Sequence, residues 1–185
     1  MLLAAQLLRK DRCGLGVCLI ERNHLLGCGV AYGTPDPAHL LNTRAAKMSA
    51  FPQQPDHFLD WLRAEEPTLA DPQGFVSRAI YGRYMASILN GWAGAPALSC
   101  LRDECVGLEV GPGGIVAHLA GGGRVEADLA VLATGHALAG AEAEEALSQP
   151  WDCGPIPPGA AVLIVGSGLT MVDQVLSLLE AGHEG

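Results

Sequence analysis

Basic residues are scarce in this chain: 11 Lys and Arg stand against 20 Asp and Glu, for a net charge of −9 with His neutral, and they gather into no patch. A general nucleic-acid binder needs such a patch to neutralise phosphates, so nucleic acid is not expected as a partner. Long apolar runs are also missing. The apolar start, Met1 to Leu8, falls far below the roughly 20 residues that span a bilayer. Arg9, Lys10 and Arg12 follow it rather than precede it, the reverse of a secretory signal. Neither export nor membrane insertion is expected, and the location expected is cytoplasmic. The six cysteines (Cys13, Cys18, Cys28, Cys100, Cys105, Cys153) include no C-x-x-C pair and no histidine at zinc-ligand spacing, so they read as reduced thiols acting as small buried apolar residues. There is no Walker lysine, no Ser-His-Asp order with an elbow motif and no metal-ligand cluster. No metal is expected, and the catalytic residues stay unknown. His136 follows a strand-end glycine and could face a ligand, but no carboxylate or nucleophile is placed to partner it.

What is present is a chain of 185 residues, 49% apolar and 17% charged, enough to bury the core of a single domain. Met1 to Leu8 reads as a helix apolar on nearly every face and therefore buried, with Arg9 and Lys10 at the negative end of its dipole. Leu15 to Ile20 (LGVCLI), Leu129 to Thr134 (LAVLAT) and Ala161 to Val165 (AVLIV) are continuous apolar runs that suit parallel strands covered on both faces. Gly27 to Pro55 has the composition of a packed functional loop anchored by Leu40, Leu41, Met48 and Phe51. Asp56 to Glu66 and Ala79 to Trp92 read as two helices forming a small cap. Glu104 to Val110, Ile115 to Leu119 and Arg124 to Ala127, separated by GPGG and AGGG, read as a three-stranded antiparallel meander. Ala139 to Pro158 reads as a connection with a solvated acidic patch at Glu142, Glu144 and Glu145. The last helix carries Leu169, Val172, Leu176 and Leu179 at helical spacing and ends near Gly182; Asp173 reads as its solvent-facing residue.

Two features point to nucleotide chemistry. Gly166-Ser167-Gly168 lies between an expected strand and an expected helix, where the first glycine permits a tight turn, the second admits a pyrophosphate to the backbone, and the helix start supplies N–H donors. The third position of the pattern is Met171 rather than Gly or Ala, which leaves a plain strand-to-helix connection as the alternative. Glu21, at the end of an expected strand, is the type of residue that binds a ribose hydroxyl about 20 residues beyond a glycine turn. Counting back from Glu21 reaches the start of the chain. Met1 is accordingly expected to fall inside the first nucleotide-binding helix, with its strand and glycine turn missing, and the second unit to begin near residue 160 and be incomplete. An ordinary surface glutamate remains the other reading. With an unpaired sheet edge, poor solubility is expected of the 185 residues.

GVAYGTPDPAHLLNTRAAKMSAFPQQPDHFLDWL, AIYGRYM, VLATGH and VLIVGSGLTMVD resemble, in that order, the FAD/NAD(P)-binding domain of bacterial flavoproteins, the group that includes FAD-dependent urate hydroxylase and aspartate N-monooxygenase. The resemblance implies an α/β, Rossmann-like FAD/NAD(P)-binding fold with the three-stranded β-meander and the small helical cap. It implies that Glu21 holds the FAD adenosine ribose, that Gly29, Val30, Ala31 and Tyr32 with Asn42, Met48 and Ser49 line the flavin, and that Val106 meets the adenine through its backbone. Ala133, Thr134 and Gly135 would close on that cofactor, and Gly166, Gly168 and Thr170 would face the NAD(P)H pyrophosphate. Cys28 stands where the family's G-x-G-V-A-Y block carries a basic residue. The activity implied is hydride transfer from NAD(P)H to FAD, then oxygen activation and hydroxylation of a small-molecule substrate, which these blocks do not identify. Two other readings compete: a non-catalytic nucleotide-binding or interaction remnant that no longer holds FAD, and a one-site NAD dehydrogenase or methyltransferase using Gly166 and Gly168 alone.

Overall fold

The computed structural model describes residues 1–10, 14–22, 26–135 and 156–184. Within these the chain mixes helices with two small sheets, and it forms two compact units: residues 1–29 with 83–135, and residues 30–82 with 136–185. His136 and the acidic patch at 142–145 lie outside the described residues.

In the first unit, helix α1 (Leu2–Lys10) buries Ala4, Ala5 and Leu8 on one face, and Arg9 and Lys10 sit in its last turn as the dipole favours. It is not buried all round: Leu2, Leu3 and Leu7 remain exposed. Strand β1 (Val17–Ile20) runs parallel to β2 (Leu98–Leu101), with Val17 opposite Leu98 and Ile20 opposite Leu101. The ladder continues through the Glu21 N–H to the Leu101 carbonyl at 3.0 Å, which sets Glu21 at the end of the strand. β2 escaped the sequence reading because LSCL is short and carries no alternation. β3 (Cys105–Gly111), β4 (Gly114–Leu119) and β5 (Arg124–Ala127) form the expected antiparallel meander, turning inward Ala117 and Leu119. Gly114 is required there: its φ is +119°, and a Cβ would lie 2.6 Å from the Ala127 carbonyl oxygen.

In the second unit, the segment after α2 (Gly29–Tyr32) is strapped to the chain before α4 (Arg78–Ser87). Leu40 bridges Ser77, and the N–H groups of Leu41, Ala45 and Ala46 reach the carbonyls of Val76, Gly74 and Pro72. Leu41, Ala45, Ala50 and Phe51 are buried, so the segment is a packed loop as expected, although Leu40 faces outward. Helix α3 (His57–Glu65) buries Phe58, Leu59 and Leu62. Phe58 meets the Tyr81 ring of α4 edge-on at 5.1 Å, and Tyr32 meets the same ring at 4.8 Å. Helix α4 ends at Ser87, short of the expected Trp92, and passes into a separate 3-10 turn at Asn90–Trp92. The last helix, α5 (Leu169–Glu180), stops at Gly182 (φ +75°), whose N–H and that of His183 cap the carbonyls of Leu179 and Leu178.

Two expected strands are corrected. Residues 129–134 and 161–165 form no strand, and Leu129, Leu132, Leu163 and Val165 are all more than 70% exposed. An apolar run becomes a strand only when a neighbour completes its ladder, and among the described residues none pairs with either segment. In 161–165 only Val162 and Ile164 are partly covered, where they face Val175 and Leu178 of α5. Among the described residues β1 is likewise paired on one edge only and half-exposed, not covered on both faces.

Candidate functional site

The turn at 166–168 has the backbone its glycines suggest. Gly166 sits at φ +123°, which only glycine adopts readily, and Gly168 is the extended N-cap of α5 with no side-chain cap. The Gly168 carbonyl accepts from Met171 and Val172, whereas the N–H groups of Leu169 and Thr170 have no acceptor among the described residues. Among the described residues, a Cβ built on Gly168 would meet no atom within 4 Å. Packing among the described residues therefore does not demand a glycine there; what the glycine permits is close approach of another molecule to these two donors at the positive end of a helix. Thr170 is half-buried in the first turn.

The other expected site residues divide between the units. In the first, Glu21 is half-buried at the end of β1, and Gly29 takes φ +56° at the start of α2. Val106 is the extra residue of a β-bulge: the register passes from Cys105 opposite Leu119 to Gly107 opposite His118, so Val106 opposes nothing on β4 and is 64% exposed. Its backbone groups thus stand outside the ladder. Ala133, Thr134 and Gly135 (φ +69°) are exposed.

In the second unit, Val30 is half-buried, Ala31 is exposed and Tyr32 is held by Tyr81. Asn42 is exposed and accepts from the Thr43 hydroxyl at 3.2 Å. Met48 is half-buried and closes a short 3-10 turn on Ala45. The Ser49 hydroxyl is committed within its loop, donating to the Gln54 carbonyl at 2.6 Å and accepting from the Phe51 N–H at 3.1 Å.

Taken unit by unit, the acid at the end of a parallel strand and the bulged backbone at Val106 in the first unit suit ribose hydroxyls and a base edge, and in the second the N–H groups of 169 and 170, without an acceptor among the described residues, suit a diphosphate.

Sequence reasoning missed a buried polar chain in the second unit. The Asp36 N–H donates to Thr34 Oγ1 at 3.3 Å, and Thr34 Oγ1 lies 2.9 Å from His39 Nδ1. His39 Nε2 lies 2.9 Å from Ser177 Oγ, whose hydroxyl donates to Asp36 Oδ2 at 2.6 Å. Because Nε2 also stands 3.3 Å from the same carboxylate oxygen, it is assigned the ring proton. Thr34 and His39 are buried. The hydrogen bond from Ser177, first, and then the Ala38 N–H and His39 hold the Asp36 carboxyl below the usual carboxylate range, against a partial burial that pushes it up. The trio is not a hydrolytic triad. The carboxylate accepts the serine hydroxyl's hydrogen bond directly, and the imidazole presents N–H rather than a lone pair to the serine.

One turn earlier on α5, Asp173 Oδ2 lies 2.8 Å from Arg78 Nη2, close enough for an ion pair although the angle is not that of a hydrogen bond. Asp173 is 5% exposed, which corrects the expectation that it faces solvent. Asp173 and Ser177 are four apart and share one helical face. The local part of this arrangement was readable in TPDPAH, since Thr34 and Asp36 make short side-chain turns with following N–H groups; the partners 138 and 95 residues away along the chain, Ser177 for His39 and Asp173 for Arg78, were not.

The cysteines are corrected in part: Cys28 is buried, but Cys18, Cys100 and Cys105 are exposed, and Cys13 and Cys153 lie outside the described residues. Burial, with the Glu21 charge second, pushes the Cys28 thiol up to about 11. It stays protonated, and so unreactive, until the pH approaches that value. Iodoacetamide at pH 8 is therefore expected to label Cys105 well before Cys28, as peptide mapping by mass spectrometry would read; equal rates would contradict the burial.

A family model described as FAD-NAD(P)-binding matches residues 1–137. A comparison with curated proteins yields no match. Among the described residues no helix is long and apolar enough to cross a membrane.

Proposed function

Because this chain belongs to the FAD-NAD(P)-binding family, whose cofactors are FAD and NAD(P)H, we propose that it is the nucleotide-binding part of a flavin-dependent oxidoreductase with a Rossmann-type arrangement. The finer reading is a monooxygenase akin to the urate hydroxylase and aspartate N-monooxygenase group, acting on a small molecule in the cytoplasm. Its support is the ordered sequence blocks. The two cofactors supply hydride transfer and oxygen activation, and the protein's part is to hold, orient and shield them.

In the first unit, Glu21 accepts from the adenosine ribose of FAD, the Val106 backbone meets the adenine, and Gly29 with Ala133, Thr134 and Gly135 lies along the cofactor. In the second, Val30, Ala31, Tyr32, Asn42, Met48 and Ser49 serve the flavin end. Tyr32 does so from a ring fixed by Tyr81, and Ser49 through its backbone, since its hydroxyl is already engaged. Gly166, Gly168 and Thr170 take the NAD(P)H pyrophosphate. The observation that carries this reading is the turn at 166–168, where two N–H donors have no acceptor among the described residues and stand behind a glycine whose Cβ position those residues leave open.

Gly168→Ser tests it with effects of opposite sign. Serine is at least as good an N-cap as glycine, so the folded state is expected to be unchanged or stabilised by a few tenths of a kcal/mol. The same side chain fills the approach and competes for the donors, so NAD(P)H affinity is expected to fall roughly tenfold or more. Fluorescence titration with NADH and NADPH, beside a thermal midpoint, reads both. Unchanged affinity, or no binding of either nucleotide or of added FAD by the wild-type chain, would sink the proposal.

A further inference from the structure

We infer that Asp36, His39 and Ser177 are positioning residues for the dinucleotide at the Gly166–Gly168 turn, an inference that rests on the proposed binding there and names what fixes the angle of its helix. A helix N-terminus serves a diphosphate only when its N–H groups point at the phosphate oxygens, so the orientation of α5 is part of the site. Among the described residues, the apolar packing seen on α5 is that of Val175 and Leu178 facing Val162 and Ile164. Leu169, Val172, Leu176 and Leu179, which should form the buried stripe, are 50%, 43%, 39% and 63% exposed.

The directed hold on α5 is on its polar face. Asp173 meets Arg78, and one turn on Ser177 enters the closed chain from Asp36 N–H through Thr34 and His39 back to the Asp36 carboxylate. The other end is itself fixed. The His39 carbonyl accepts from the Arg78 N–H at 2.7 Å, and Arg78 Nε donates to the Leu40 carbonyl at 3.1 Å. The first turn of α5 is thereby tied, through a rigid helix, to the loop that follows Tyr32, and all these groups lie in one unit. Ordering either end favours the other, which is coupling in the thermodynamic sense.

The experiment uses the full chain at a temperature well below its thermal midpoint, with NADPH and NADH titrated into wild type, Ser177→Ala, His39→Ala and His39→Gln, and hydrogen exchange followed without ligand. Ser177→Ala and His39→Ala are expected to weaken nucleotide binding about fivefold or more, the usual lower range of such coupling. His39→Gln, whose amide nitrogen can take the place of Nε2 as donor to Ser177, is expected to recover most of the loss, which a residue that only fills space would not do. Exchange is expected to quicken in Ser177→Ala both at 38–39 and at 171–172, whose N–H groups are hydrogen-bonded. Equal affinity in all four proteins, His39→Gln as weak as His39→Ala, or unchanged exchange at 171–172 overturns the positioning role while leaving nucleotide binding intact. Failure of the wild type to bind either nucleotide overturns the binding reading, and the positioning role with it.

Discussion

Arg78→Met is expected to destabilise the chain by about 3–5 kcal/mol, the cost of leaving a buried charge without its partner. Both side chains are nearly out of solvent, Arg78 at 13% and Asp173 at 7% exposed, so water cannot replace what is lost. Arg78 also holds the Leu40 carbonyl through Nε, a second bond the variant removes. The control is the double variant Arg78→Met with Asp173→Leu. Removing both charges from a buried pair is often neutral or stabilising, so most of the lost stability is expected to return. Urea unfolding of the two variants beside wild type measures this; a single variant within about 1 kcal/mol of wild type would mean that Asp173 is solvated.

Phe58→Ala is expected to cost about 3–5 kcal/mol, in the range of large-to-small substitutions in a filled core. Phe58 is fully buried and among the largest side chains with no exposure. Its ring packs on Tyr81 at 5.1 Å and on Trp61 at 6.2 Å, and such pairs add about 0.5–1.5 kcal/mol beyond area burial. Phe58→Leu keeps much of the volume and loses the ring contacts, so it is expected to cost clearly less. Equal losses for the two would place the energy in the aromatic contacts rather than in the cavity, and a loss below about 1 kcal/mol for alanine would overturn the assignment of Phe58 to the core.

Elements that need only their own residues were legible in the sequence. The meander declares itself through GPGG and AGGG, because a hairpin is a local structure whose turn chemistry sits between its strands. Helix α3 follows from Phe58, Leu59 and Leu62 on one face, and α5 begins at its glycine turn and ends at Gly182. Elements that depend on a distant partner were not legible in the same way. LSCL became β2 only because Val17–Ile20 lies beside it, and LAVLAT and AVLIV, the more apolar runs, formed no strand because no described segment completes their ladders.

The same division holds for the candidate site. Gly166 and Gly168 were found from sequence because a tight turn into a helix leaves its mark in adjacent residues, and Glu21 because a strand end can be counted. Val106 as a bulge, Glu21 as the charge beside the Cys28 thiol, and Asp173 as a buried partner of Arg78 required the folded chain, whereas the burial of Cys28 was already expected.

The sequence by itself determined the family, the order of helices and hairpins, and the glycine turn before α5, since each is written in contiguous residues. Only the tertiary structure decided that the polar side of α5 is held. A helical repeat of leucines marks an apolar stripe but not what will cover it, whereas a carboxylate at 173 and a hydroxyl at 177 acquire their roles when Arg78, Asp36 and His39 are brought within about 3 Å.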